Sequence, residues 1–211
     1  MARYIGPVCR QCRREGIKLF LKGERCYTEK CAIEKRNYVP GQHGKDRKPK
    51  KIVGYGLQLR EKQKAKRYYG LGETQFRNLF EKAAIMKGVT GDNMINMLER
   101  RLDNVVYRLG FATSRRQARQ IVRHGHISVD GQRVDIPSFV VRAGEAIAVV
   151  EKSKKNPTIL ANLETTAHAP TPNWLEVDRA LLTAKVVSVP QRSDLVQIEL
   201  NEQLIVELYS K

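Results

Sequence analysis

Beyond Cys31 the chain has no cysteine at all: its four thiols, Cys9, Cys12, Cys26 and Cys31, fall in the first 31 of 211 residues. A disulfide framework is thereby excluded for the 180 residues that follow. Aromatic residues reach only 7%, with one tryptophan, too few for a binding surface built mainly from stacking platforms. Long apolar runs are missing as well. Stretches such as AIAVV at 146–150 fall far short of the roughly 20 residues of a spanning helix, and MARYIGPV lacks the apolar centre of a signal peptide. The expectation is a cytoplasmic protein without membrane association. Acidic residues are also scarce, 22 against 39 Lys+Arg, for a net charge of +17. Such a field draws polyanions, nucleic acid first.

The positive charge is concentrated at one end. Residues 1–70 carry 20 of the 39 cations, and residues 146–211 carry only 7. A polyanion is expected to lie along the N-terminal third, with the C-terminal third left to meet protein. Residues 43–51, HGKDRKPKK, show no apolar periodicity and read as an extended arm that orders on RNA. Residues 57–69, between Gly56 and Gly70, read as a helix with cations on most faces.

Helical periodicity then appears twice. Phe76, Leu79, Phe80, Ala83 and Ala84 form one stripe, expected to face a core. Ile95, Leu98, Leu102, Val105, Val106 and Leu109 form another, expected as one helix over 94–109 closed by Gly110. Ser114 and Gln117 make a capping box, with Gln117 reaching back to the cap. The helix it opens carries Ala118, Ile121 and Val122 on one face and ends at Gly125. Arg115, Arg116, Arg119 and Arg123 fall at spacings that make a cationic stripe, self-repelling unless phosphate lies across it. Ile127, Ser128 and Val129, the Asp130-Gly131 turn, and Gln132, Arg133 and Val134 read as a hairpin. Residues 139–141 and 147–150 read as further strands.

The segments LDNVVYRLG (102–110), SRRQARQIV (114–122) and GHISVDG (125–131) resemble a small RNA-binding module. It is found in a small-subunit ribosomal protein, some pseudouridine synthases and tyrosyl-tRNA synthetases. The flanks, MARYIGP (1–7), PGQHG (40–44), YGLQLREKQK (55–64) and NEQLIVELYSK (201–211), resemble the bacterial small-subunit ribosomal protein number four family over essentially the whole chain. That resemblance implies a non-catalytic structural protein that binds small-subunit rRNA directly and starts assembly of the subunit body. It also implies a ribosome-bound location, messenger RNA as a further ligand, and no small-molecule substrate. An RNA-modifying enzyme or a quality-control RNA binder sharing the module is the alternative; the first would need a separate catalytic domain.

The expected fold class is α+β. A four-cysteine metal knuckle and basic arm occupy 1–45, and a helical domain occupies 46–98, completed by 199–211. The RNA-binding module of two helices with a short β-sheet extends over 99–198. RNA contacts are expected from Arg3, Tyr4, Arg13 and Arg14, and from Lys45, Arg47, Lys48 and Lys50. Further contacts are expected from Arg60, Lys62, Lys64, Lys66 and Arg67, from Tyr55, Tyr68 and Tyr69, and from the four arginines at 115–123.

The cysteine spacings, x2 within the first pair and x4 within the second with thirteen residues between, suit a tetrahedral four-thiolate site. Zinc is the favoured occupant; an iron–sulfur cluster uses the same ligands. Neighbouring cations (Arg10, Arg13, Arg14, Lys18, Lys22, Arg25 and Lys30) are expected to favour the thiolate.

In the C-terminal third Asn156-Pro157 reads as a helix start, with Ile159, Leu160 and Leu163 inward. Trp174 reads as a core anchor, and 174–175 and 184–189 as strand material. The resemblance implies that the acidic tail folds back on the N-terminal helices and meets protein five of the same subunit through Glu199, Glu202 and Glu207.

Overall fold

The computed structural model describes residues 4–46, 51–191 and 198–210. In chain order the helices are α1 (Cys9–Glu15), α2 (Ala32–Lys35), α3 (Tyr55–Tyr68), α4 (Glu73–Ile85), α5 (Thr90–Glu99), α6 (Leu102–Arg108), α7 (Arg115–Arg123), α8 (Pro157–Thr165) and α9 (Glu202–Tyr209). The strands are β1 (Ile127–Val129), β2 (Gln132–Arg133), β3 (Ala146–Val149), β4 (Leu175–Asp178) and β5 (Thr183–Val186). The chain forms two compact units, one of residues 1–94 with 198–211 and one of residues 95–197. Among the described residues no helix is long and apolar enough to cross a membrane.

In the first unit, α4 buries Phe76, Leu79, Phe80 and Ala83. Ala84 is exposed, because eight residues at about 100° each carry it roughly 80° round from Phe76, off the stripe. Helix α9 returns to this layer and lies against α3. The Tyr209 ring stacks on Phe80 with centroids 4.6 Å apart. Gln58 donates to Glu207 at 2.9 Å, and the Asn201 N–H donates to Glu61 at 2.8 Å.

The helix expected over 94–109 is in fact two. Arg101 leaves the helical region (φ −65°, ψ 134°) and forms a β-bridge with Val140. The Leu102 N–H donates to Phe139 O at 2.8 Å, and the Val141 N–H donates to Arg100 O at 2.9 Å. The apolar period continues through the break, which is why periodicity hid it. The same contacts account for residues 139–141, which make this single bridge instead of a strand.

The second unit packs α6 and α7 against a five-stranded antiparallel sheet of order β2-β1-β3-β5-β4. Its core includes Leu102, Val105, Val122, Ile127, Ile147 and Trp174. The β1–β2 turn uses Asp130 (φ 47°) and Gly131 (φ 80°), the left-handed pair that a tight hairpin requires. Asp130 also accepts the Ala146 N–H on its side chain at 2.8 Å, joining the turn to β3. Asn156 caps α8 by accepting the Thr158 N–H at 2.9 Å. Ile159 is buried there, but Leu160 points outward, 44% exposed.

Candidate nucleic-acid interface

Helix α7 starts on Ser114, whose hydroxyl accepts the Gln117 N–H at 3.3 Å. Gln117 reaches one residue further back than a capping box predicts. Its Oε1 accepts from both the N–H and the hydroxyl of Thr113, each at 2.8 Å. The helix closes on Gly125 (φ 71°), with the His126 N–H returning to Ile121 O at 3.3 Å. A Cβ at Gly125 would sit 2.0 Å from the Arg133 guanidinium, so only glycine lets Arg133 lie across this corner.

The four α7 arginines do not form one exposed stripe. Arg116 and Arg123 are exposed, the latter with Asp135 at 3.3 Å. Arg115 is buried, donating to Asn104 at 2.7 Å and lying 4.5 Å over the Tyr107 ring. Arg119 pairs with Asp103 at 2.8 Å. Self-repulsion is relieved by these partners as well as by spacing, which corrects the expectation that only phosphate could relieve it.

Arginine spacing alone does not show these partners. Asp103 also takes Arg101 in a two-pronged pair at 3.2 and 3.1 Å. Glu99 takes Arg108 likewise at 3.1 and 3.0 Å and accepts from Asn104 at 2.8 Å. A signal was present: between residues 93 and 129 the chain has seven arginines and only two acids, Glu99 and Asp103. Scarce acids amid many guanidiniums are pulled inward as shared acceptors. The outward cations of this unit include Arg116, Arg123, Arg133 and Arg142.

On α3 every expected contact cation has an acidic partner. Arg60 and Arg67 both pair with Glu15, whose side chain is almost wholly buried. Burial raises the Glu15 carboxyl, and Arg67 and Arg60 pull against that rise. Lys62 and Lys66 both hold Glu73, and Lys64 holds Glu61. Burial alone would raise the Glu73 carboxyl, but the two ammoniums prevail and its pKa is lowered. Five cations share three carboxylates, so the face keeps a positive surplus.

Tyr68 and Tyr69 are interior, 1% and 3% exposed, and meet edge to face at 4.9 Å. They are core residues, a correction to the stacking role expected for them. Tyr4 and Tyr55 are exposed, as are Arg14 and Lys45. Arg13 is held over the Tyr38 ring at 4.6 Å and donates to Tyr38 O at 2.9 Å. Arg3, Arg47, Lys48 and Lys50 lie outside the described residues, as does the 47–50 stretch of the expected arm.

Cys9 and Cys12 stand one turn apart on α1, Cys26 closes a 3-10 turn (Gly23–Cys26), and Cys31 precedes α2. Cys12, Cys26 and Cys31 are buried. Cys12 accepts the Leu19 N–H, and Cys26 accepts the Lys22 N–H at 3.4 Å. The thiolate expectation is reversed for two of them. Burial pushes Cys12 up to about 11, and Cys26 also rises, with the neighbouring thiols adding to both. The cations Arg10, Arg14, Lys22, Arg25 and Lys30 are exposed, so solvent screens their influence. Among the described residues no group of three or more His, Cys, Asp or Glu is placed to hold a metal ion.

The acidic tail is only partly available. Glu202 is 7% exposed and packs over Gly91, where a Cβ would come within 2.7 Å of it. Glu202 therefore belongs to the interior, not to an offered surface. Glu199 and Glu207 are exposed.

The second unit is thus an arginine-rich two-helix module on a small antiparallel sheet, and the first is a basic helical unit. Residues 3–99 match the family model described as ribosomal protein S4/S9 N-terminal domain, and residues 100–147 match the S4 domain. Relatives named small ribosomal subunit protein uS4 are similar over their whole length and the whole of this chain. The one from Solibacter usitatus is 70% identical, that from Acidobacterium capsulatum 63%, and that from Acetivibrio thermocellus 60%. The chain belongs to the uS4 family of small ribosomal subunit proteins.

Proposed function

We propose that this protein is a non-catalytic constituent of the small ribosomal subunit that binds its rRNA directly and nucleates assembly of the subunit body. Phosphate contacts position it, and the shape of a helical junction is what it reads. The observation that carries this reading is the end-to-end similarity to small-subunit proteins, combined with a module whose interior acids orient some arginines and leave Arg116 and Arg123 outward. Arg14, Lys45, Arg116 and Arg123 are the first phosphate ligands, with the surplus on α3 behind them. Messenger RNA is a further ligand of the same surface. Glu199 and Glu207 meet neighbouring protein five and bear on translational accuracy. The cellular location is the cytoplasm, on the ribosome.

Cys9, Cys12, Cys26 and Cys31 would hold one zinc ion. The donor chemistry supports this reading: four thiols in the required spacing, with Cys12 and Cys26 already accepting backbone N–H bonds of the kind that support thiolate ligands. A bound ion would stiffen the N-terminal end, where the helices are short. An iron–sulfur cluster is the other occupant that this ligand set accepts.

Co-sedimentation of the tagged chain with small subunits through a high-salt wash tests the reading. Retention on small subunits is expected; release at the first wash, or equal retention on large subunits, contradicts it.

A further inference from the structure

A cleft of about 630 Å³ in the first unit has Tyr4, Arg10, Arg14 and Gln63 on its walls and residues 70–72 at one end. Its volume is that of a small-ligand site, about 300–1,000 Å³. Among the described residues four cations line it and no carboxylate does. Lys66 and Arg67 already face Glu73 and Glu15. Arg10 and Arg14 are exposed and make no ion pair among the described residues. Gln63 offers an amide, a donor and an acceptor together, which suits the edge of a base. Helix α4 begins at the cleft on Gly72, which supplies no side-chain cap, so first-turn N–H groups there are free for an anion. Tyr4 folds over Gly6, its hydroxyl 2.6 Å from where a Cβ would stand, and presents a half-exposed ring at the cleft.

We propose that this cleft takes one unpaired nucleotide of the bound RNA, its phosphate between Arg10 and Arg14 and its base against Tyr4. The inference rests on the RNA-binding reading above and adds a specific subsite to it. A concave pocket with a ring and an amide cannot admit a stacked base pair. Splayed-out bases are read by this combination of stacking and edge contacts.

The test is filter binding of the full chain to small-subunit rRNA over a salt series, with thermal melts of each variant as control. Gly72 lines the cleft, has extended backbone (φ −77°, ψ 164°) and leaves open space within 4 Å of an added Cβ, so Gly72→Phe is the variant that narrows the cleft. That variant is expected to bind about tenfold more weakly or worse, with its salt slope unchanged. Arg10→Gln with Arg14→Gln is expected to lower the slope by about 0.7 for each phosphate no longer neutralised. Tyr4→Ala, at an exposed site, replaces Gly72→Phe should the latter melt early, and is expected to weaken binding in the same way. Wild-type protein that fails to bind rRNA overturns the RNA-binding reading itself. Wild-type binding, with Gly72→Phe or Tyr4→Ala well folded and equally tight, overturns the cleft alone.

Discussion

Asp103 holds the Arg119 guanidinium at 2.8 Å, across from α6 to α7, while its carboxylate also receives Arg101. All three side chains are close to buried, with 5%, 12% and 7% exposure. One carboxylate therefore links the side chain of Arg101, at the break before α6, to the rotation of α7 about its axis. That rotation decides which α7 arginines face water.

Removing Asp103 leaves two guanidiniums without their shared acceptor. Asp103→Ala is expected to destabilise the second unit by about 3–5 kcal/mol, the range for breaking a buried pair from one side. Urea unfolding followed by circular dichroism measures it; a loss below about 1 kcal/mol would show that Asp103 does not organise the module.

The exposed arginines behave oppositely. Arg116→Gln with Arg123→Gln should leave stability within about 0.5 kcal/mol while lowering the salt slope of rRNA binding by roughly 1 for each phosphate that loses its arginine. Arg119→Gln should cost stability first. Equal slopes for wild type and the Arg116/Arg123 double variant would place the RNA elsewhere.

A pH dependence follows from His126. Burial, then His124 and Arg133, lower its pKa below the ordinary value of 6.5, and its Nδ1 lies 2.8 Å from the Ser153 hydroxyl. The folded state thus binds the proton less readily than the unfolded one. Its contribution is fully present above pH 6.5 and is lost as pH falls through the folded-state pKa. The wild-type midpoint in urea should drop between pH 7.5 and 5, and His126→Asn should drop less over the same interval. Identical pH profiles for the two proteins would remove His126 from the account.

Cys9→Ser with Cys12→Ser should abolish zinc uptake, measured by elemental analysis, and raise hydrogen exchange over residues 4–40. Exchange in residues 99–150 should be unchanged. Loosening of the whole chain would contradict a metal effect confined to the N-terminal end.

The legible features were those set by neighbours in sequence. The α4 stripe, the Ser114 cap, the Asp130-Gly131 turn and the Asn156 cap each depend on residues a few positions apart. The break at Arg101 was not legible, because its cause is Val140, 39 positions on, and the apolar period runs straight through it. Residues 174–175 and 184–189 read as strand material, but the place of β5 beside β3 depends on pairings such as Ala146 with Lys185. The arginine spacing of α7 gave the cationic helix correctly, yet it could not sort Arg115 and Arg119 from Arg116 and Arg123. That sorting is done by Asp103 and Asn104 on α6. Tyr68 and Tyr69 are illegible for a similar reason: a tyrosine ring suits a core or a base equally well, and only its neighbours in the fold decide.

Filter binding of the intact chain to small-subunit rRNA, with large-subunit rRNA as competitor across a salt series, tests the central claim most directly. Tight binding that survives the competitor and weakens steeply and linearly on logarithmic axes with salt is the predicted result. Equal displacement by either RNA would mean that the charge of +17 acts without shape recognition, and would contradict a specific role in building the small subunit.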